Sequence, residues 1–357
     1  VQSGEKPKVL LVSDLPVSGN TNPAIGPVTP AWVVYRQLSE RYQLSHLSPR
    51  ALTIPADTDV LWVMHPRNWP EAAVQQVQAF VENGGHAVIV LDPNAESVPV
   101  FSGSNPLISN LYLASDMPAL LQRWGVRYDP NMVVLDSKYA WLMQLNENQF
   151  PKRNPALISL PGEAMNQRDP VTADLDRIVL SSTGAMTLTE NSPLQIEPLL
   201  QSSDSSRLID VTGFRLASEA PEKLLNGFVS SQEPFVLAAR FTGKVSSKGR
   251  PDKRLNFIVV ADSDFLSDRL WVLENNLFGQ PVFSAQASNG DFFFNCIDQL
   301  SGTDDLISIR SRGKVSRPFE KVDQLRRSAE QRYRDKQTAL LLNLEKVQSE
   351  INVLQEN

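Results

Sequence analysis

The sequence predicts an α/β protein built on a mainly parallel sheet. Three observations carry that expectation. Short apolar runs without alternation recur at Lys8–Ser13, Asp59–Met64, Ala87–Leu91 and Leu255–Ala261, the pattern of strands covered on both faces. An amphipathic helical pattern separates the second run from the third within about 35 residues, a βαβ crossover that makes those two strands parallel. The four runs are each followed by an acidic or imidazole side chain: Asp14, His65, Asp92 and Asp262.

Taken in order, Lys8–Ser13 reads as the first strand, followed by a Pro/Gly/Asn-rich loop from Pro16 to Pro30. Thr29 is expected to cap a helix with Pro30 at its first position, the helix carrying Val33, Val34 and Leu38. Residues 43–47 read as a second strand. After His65-Pro66, Pro70 opens a helix with Glu71 in its first turn, favourable to the helix dipole. Val74, Val77, Phe80 and Val81 fall at helical spacing, and Asn83-Gly84-Gly85 ends the helix. Met117–Trp124 reads as a short helix closed by Gly125, and Met132–Leu135 as a strand ending at Asp136. Residues 145–175 carry several prolines and few strand signals. Strand patterns resume at Arg177–Ser182, Ala185–Leu188, Pro193–Leu200 and Phe235–Phe241. Residues 290–300 read as a helix closed by Gly302, and Leu306–Ile309 as a last short strand.

Beyond Pro318 the pattern changes. No glycine or proline follows up to Gln355, charges alternate in sign, and Leu340, Leu344, Val347, Ile351 and Leu354 take the spacing of a coiled-coil seam. As one helix of roughly 38 residues, this tail would extend roughly 57 Å. It serves as a spacer or partner surface, or folds back on the body. The expected layout is a flavodoxin-like α/β body at 1–140, an inserted or second α/β segment at 141–235, a return to the body at 236–316, and a long charged, coiled-coil-like helix at 317–357.

Composition narrows the function. A formal net charge of −6 argues against nucleic acid, whose phosphates need a concentrated Lys/Arg surface. Basic clusters at Arg310–Lys314 and Arg326-Arg327 read as solvated surface or as contacts to anionic lipid headgroups. One cysteine, Cys296, excludes an intrachain disulfide and a paired-cysteine zinc site. No run of about 18 apolar residues is present, so no transmembrane helix is expected in this stretch. The polar start at Val1, in place of Met, reads as a trimmed or processed terminus.

Candidate chemistry collects at the strand ends. In an open parallel sheet, ligands bind outside the carboxyl ends of the strands, and Asp14, His65, Asp92, Asp136, Asp262 and Asp264 all follow predicted strands. Their functional reading is a small-ligand or cation site, because hard cations take oxygen ligands and Asp-x-Asp supplies two from one loop. Against it, Asp after a strand commonly closes an Asx turn, and His65-Pro66 and Asp92-Pro93 are turn-initiating dipeptides. A nucleophile elbow would need Ser or Cys between strand and helix with flanking glycines. The segments after Leu91 and Ala261 read Asp92-Pro93-Asn94 and Asp262-Ser263-Asp264, with no such glycines. Cys296 falls in an apolar helix pattern, and His46 and His86 lie in or beside strands, where satisfied structural roles are expected. There is neither a phosphate-binding P-loop nor a Gly-x-Gly-x-x-Gly after the first strand. No cofactor and no metal follow from these residues, and the chain is not expected to be an enzyme.

Ala56–Pro66, the helix end Phe80–Gly85, Ala87–Glu96, Val259–Ser267, Asn295–Gly302 with Asp304-Asp305-Leu306, and Ile309–Arg312 together resemble the auxiliary component of gliding-motility-type ABC transporters. The resemblance runs from the first strand to the tail and is least distinctive over about 140–235. It implies a sheet similar to class I glutamine-amidotransferase-like domains. It also implies a periplasmic domain of an inner-membrane protein, anchored by segments absent from this chain, with an ABC ATPase and a permease as partners. Independently of the resemblance, the seam within 318–355 could pair chains as a homo-oligomer or pack on the same chain. On the transporter reading the chain binds a partner protein, envelope polymer or exported substrate and couples it to the permease. The alternative is a small-ligand or cation-binding module using Asp14, His65, Asp92, Asp262 and Asp264, and behind it a degenerate hydrolase.

Overall fold

The apolar runs become the centre of one large sheet. The computed structural model describes residues 6–21, 28–99, 113–143, 152–217, 220–245, 253–277 and 280–302. In chain order the first elements are β1 (Lys8–Ser13), α1 (Val33–Arg41), β2 (Gln43–Leu47), β3 (Val60–Met64), α2 (Glu71–Glu82), β4 (His86–Val90), α3 (Pro118–Trp124) and β5 (Val126–Tyr128). There follow β6 (Met132–Asp136), β7 (Ala140–Met143), β8 (Lys152–Pro161), β9 (Arg177–Ser181), β10 (Met186–Leu188), β11 (Leu194–Gln201), β12 (Ser206–Asp210) and α4 (Val211–Leu216). The remainder is β13 (Val236–Lys244), β14 (Arg254–Val260), α5 (Asp268–Trp271), β15 (Val272–Leu277), β16 (Gln280–Ala285) and α6 (Asn289–Leu300).

The central sheet runs β2-β1-β3-β4-β14-β13-β10-β5, with β11 also paired to β13. From β2 to β14 every pairing is parallel; β13 runs antiparallel to β14, and β11, β10 and β5 continue antiparallel. Successive residues of the parallel strands enter opposite cores. Val9, Leu11, Trp62, Met64, Val88 and Val90 face one side, where α1 contributes Val33, Val34 and Leu38 and α6 contributes Phe292, Phe293 and Ile297. Leu10, Val12, Leu61, Val63, Ala87 and Ile89 face the other, against Ala73, Val77 and Val81 of α2 and Leu120, Leu121 and Trp124 of α3. Burial on both sides is why these strands lack alternation. Aromatic pairs seal each layer: Trp62 and Phe293 with centroids 4.6 Å apart, and Trp124 and Phe257 at 4.5 Å.

Gly84 (φ +88°) and Gly125 (φ +67°) end α2 and α3 in the left-handed region, as the sequence predicts. Other expectations change. Thr29 does not cap α1: it pairs with Asn20 in an isolated bridge, and the helix begins at Val33. The Val33 N–H donates instead to Oδ1 of Asp268, 2.9 Å away and 235 residues later. On α2 the fully packed residues are Ala73, Val77 and Val81, while Val74 and Phe80 are only partly covered. The stretch 145–175, expected to be poor in strands, contains the ten-residue β8, paired antiparallel with β7 and β9 in a three-stranded sheet. The expected strand at 132–135 does form, but it pairs with β12 in a separate two-stranded sheet. A further hairpin, β15–β16, has no counterpart in the sequence reading. The chain up to Ile307 forms one compact unit. The expected strand at 306–309, both basic clusters and the helix at 317–357 lie outside the described residues.

The loop after β8 supplies a buried ion pair: Asp169 receives Nε of Arg240 at 3.0 Å and Nη2 at 3.2 Å. Arg240 on β13 also donates to Asn256 and to Gln299 of α6. Removing one member leaves a buried charge without its counter-ion. Asp169→Ala is therefore expected to cost about 3–5 kcal/mol in urea unfolding. An unchanged midpoint would show that the pair contributes nothing to holding β13 and α6 together.

Candidate functional site

The strand-end side chains fall into two groups and one outlier. Asp92 follows β4, and Asp262 and Asp264 follow β14. Because β4 and β14 are neighbours in parallel register, their loops leave the same rim, and the three carboxylates meet with oxygens within 4.8 Å of one another. All three are fully buried. They hold backbone donors reciprocally. Asp92 accepts from the Asn94 N–H at 2.7 Å and from both N–H and Oγ of Ser263, each at 2.7 Å. Asp264 accepts from Glu96 and Ser97 N–H at 2.7 and 2.9 Å. Thus the carboxylate after β4 grips the loop after β14, and the reverse. Asp262 accepts from Phe265 N–H at 3.1 Å and from Ser181 N–H at 2.6 Å, which ties in the end of β9. Glu96 closes the outer edge, accepting from Ser181 Oγ at 3.0 Å and pairing with Arg269 at 2.8 Å.

Burial first, and then the neighbouring carboxylates, push the Asp92 and Asp262 pKa values well above the usual range. Burial also raises Asp264, opposed by the Arg269 guanidinium 3.6 Å away. Burial and the Asp92 charge raise the Tyr128 hydroxyl, which makes no hydrogen bond among the described residues. Three oxygen ligands at this spacing could hold a hard cation. However, every carboxylate oxygen of the three already accepts a hydrogen bond from the protein. The arrangement is a cross-brace in which burial and mutual repulsion disfavour the charged carboxylates.

Asp14 and His65 lie elsewhere on the rim, outside that group of carboxylates. Asp14, exposed after β1, accepts from Trp69 Nε1 at 2.5 Å and from the Arg67 N–H at 3.2 Å through one oxygen, Oδ2. His65, directly after β3, has φ +52° and is fully buried. Neither of its ring nitrogens has a hydrogen-bond partner. Burial, aided by the Arg67 charge, lowers its pKa to about 3. The outlier is Asp136, which ends β6 and not a strand of the central sheet. It accepts from Ser203 N–H and Oγ and from the N–H groups of Lys138 and Tyr139, an Asx-type turn.

At the two elbow positions that the sequence rejects for want of glycines, after Leu91 and Ala261, the structure places the brace. The strained strand-to-helix turn is at His65. Ser181, Asn94, Glu96, Arg269 and Tyr128 had no sequence signal, because each joins the rim through contacts across many residues. Cys296 is buried in α6, and burial pushes its thiol far up, so it is inert. His46 Nδ1 shares a hydrogen bond with Ser18 Oγ, and His86 Nδ1 donates to the Leu300 carbonyl.

The brace has a pH signature. Raised folded-state pKa values mean that the folded chain keeps protons which the unfolded chain releases near pH ~4. The stability contributed by this cluster is therefore complete in acid and drains away as pH rises through the raised values. Stability should decline from about pH 5 towards alkaline pH, and Asp92→Asn should show a shallower decline in denaturant unfolding. Equal slopes would mean that the carboxylates do not share charge.

Comparison with solved structures gives distant likenesses. The mmIFT52 N-terminal domain aligns at 11% identity and TM-score 0.45, over 82% of this chain and 97% of that one. A putative ThuA-like protein from Bacteroides uniformis gives 12% and 0.37, over 84% and 93%. A beta-galactosidase from Rahnella sp. R3 gives 11% and 0.37, covering 83% of this chain and 31% of its own. No curated protein sequence matches at a significant level. A family profile does match, over residues 6–296, which takes in both cores and both groups of rim residues. The chain belongs to the auxiliary family of the ABC-type uncharacterized transport system.

Proposed function

We propose that the chain is the extracytoplasmic, non-catalytic part of an auxiliary subunit of an ABC transporter of the gliding-motility type. The family match over residues 6–296 carries this reading. The chemistry of the rim supports it: the strand ends of the flavodoxin-like sheet bear carboxylates locked onto backbone donors and a neutral imidazole. Their turns hold no serine or cysteine in an elbow with flanking glycines. Among the described residues no helix is long and apolar enough to cross a membrane. The charged stretch at 317–357 would link the body to the permease.

In this arrangement an ATPase in another chain hydrolyses the nucleotide and a permease forms the path. The α/β body presents a surface to a partner protein, an envelope polymer or the exported substrate. The native full-length protein, solubilised in detergent and captured by a tag, is expected to bring down an ATPase and a multi-span permease together. Recovery of neither partner under conditions that preserve other transporters would overturn the assignment.

A further inference from the structure

Asp92, Asp262 and Asp264 each bring an oxygen to one place at the β4–β14 rim, and these oxygens lie within 4.8 Å of one another. Oxygens on opposite sides of a calcium ion stand about 4.6–5.2 Å apart, twice the bond length. One ion can therefore reach all three. The hydrogen bonds of the brace leave room for it, because each carboxylate oxygen has two acceptor positions. Asp92 Oδ2 uses both, on the N–H and Oγ of Ser263. Asp92 Oδ1 and both oxygens of Asp262 and Asp264 take one hydrogen bond each.

Clustered carboxylates alone make no site, but a second group points into this one. The Tyr128 hydroxyl is shut off from solvent and has no hydrogen-bond partner among the described residues. Gly184 locates it. A Cβ built on that glycine would stand 2.8 Å from Tyr128 Cε2, 3.5 Å from Pro93 Cδ and 3.6 Å from Ala261 Cβ. The ring edge next to the hydroxyl thus lies between the residue after Asp92 and the residue before Asp262. Beyond burial, the charges acting on the hydroxyl are Asp92 first, then Asp116, Asp129 and Asp262. Asp116 and Asp129 hold the N–H groups of Met117 and Asn131. A buried hydroxyl among carboxylates that it does not touch calls for an ion or an ordered water between them.

The positive charge nearby sits at the margin. Arg269 stands 3.6 Å from Asp264 and is shared with Glu96 at 2.8 Å. Its side chain is 44% exposed and that of Glu96 37%, so the way from solvent to the carboxylates passes this pair. Arg215 reaches Asn94 Oδ1 at 2.7 Å, and its charge is answered by Asp210. We propose that Asp92, Asp262 and Asp264, with the Tyr128 hydroxyl beside them, form a site for a hard divalent cation of the calcium class. A ligand set made only of oxygens selects calcium or magnesium over zinc or copper. This inference is independent of the transporter reading, since it rests on the rim alone.

The test uses the chain of residues 1–357, stripped with a chelator, and calcium and magnesium chloride as probes. Choline chloride at equal ionic strength is the control. The melting temperature should rise with calcium or magnesium and follow the mass-action law of a single site, and calorimetry should give the affinity. Asp92→Asn and Asp262→Asn should each weaken that affinity about tenfold or more. Tyr128→Phe removes a hydroxyl that holds nothing in the fold, so it should stay folded by circular dichroism and bind severalfold more weakly. The proposal fails if neither cation exceeds the choline control up to about 10 mM, above the roughly 10⁻⁴–10⁻³ M range of extracellular calcium modules. It fails equally if either aspartate variant, while folded, binds as the wild type does, the mark of an adventitious surface cation. Should both aspartate variants unfold, an unchanged affinity in Tyr128→Phe overturns it. None of these results bears on whether the full-length protein captures an ATPase and a permease.

Discussion

The reciprocal grip of Asp92 and Asp264 is the interaction on which the rim depends. Strand ends leave backbone N–H groups without ladder partners, and in a buried position each orphan costs about 1–3 kcal/mol. Here the N–H groups of Asn94, Glu96, Ser97, Ser181, Ser263 and Phe265 would all be orphans, and three carboxylates satisfy them. Aspartate suits the task because its two oxygens accept from several donors at once and its short stem stays rigid. The cost is mutual repulsion at close range in a dry setting. Burial and that repulsion raise the carboxyl pKa values, so the brace that aligns β4, β9 and β14 favours protonation more than the unfolded chain does.

Much of this architecture was legible in local sequence. Lys8–Ser13, Val60–Met64, His86–Val90 and Arg254–Val260 betray themselves as buried parallel strands, because both faces demand apolar residues. Asn83-Gly84-Gly85 and Gly125 mark helix ends because left-handed backbone requires glycine. What escaped was set by distant partners. α1 begins where Asp268 satisfies its first N–H, not where a Thr-Pro pair advertises a start. β8 is a strand in spite of Pro155 and Pro161, because its neighbours β7 and β9 supply a ladder that local propensity cannot foresee.

The rim shows the same division. Each strand-end carboxylate could be named from the sequence, yet their grouping could not. Asp92 and Asp262 lie 170 residues apart and meet only because β14 inserts next to β4. Asp136 has the same local signature as Asp92, but β6 joins β12 and carries it away from the central sheet. Sequence therefore supplied the chemical types, and strand order decided which of them share a site.

Strand order also sets the braced half of the rim apart from the strained half. The brace sits at the β4–β14 boundary and fixes one half of the rim through hydrogen bonds that leave no carboxylate oxygen idle. The strained half sits at the β1–β3 boundary, and there the chain tolerates an unpaired imidazole and two left-handed residues, His65 and Asn68, in one turn. Strain of that kind persists only where surrounding structure over-determines it. β3 provides the frame: it is hydrogen-bonded to β1 on one side and β4 on the other, with Leu61, Trp62 and Val63 fully buried. A strand clamped in this way can hold His65 in an unfavourable conformation without fraying, because relaxing the turn would pull Met64 out of register with Val90. The braced half of the rim thus acts as the anchor against which the strained turn keeps its shape.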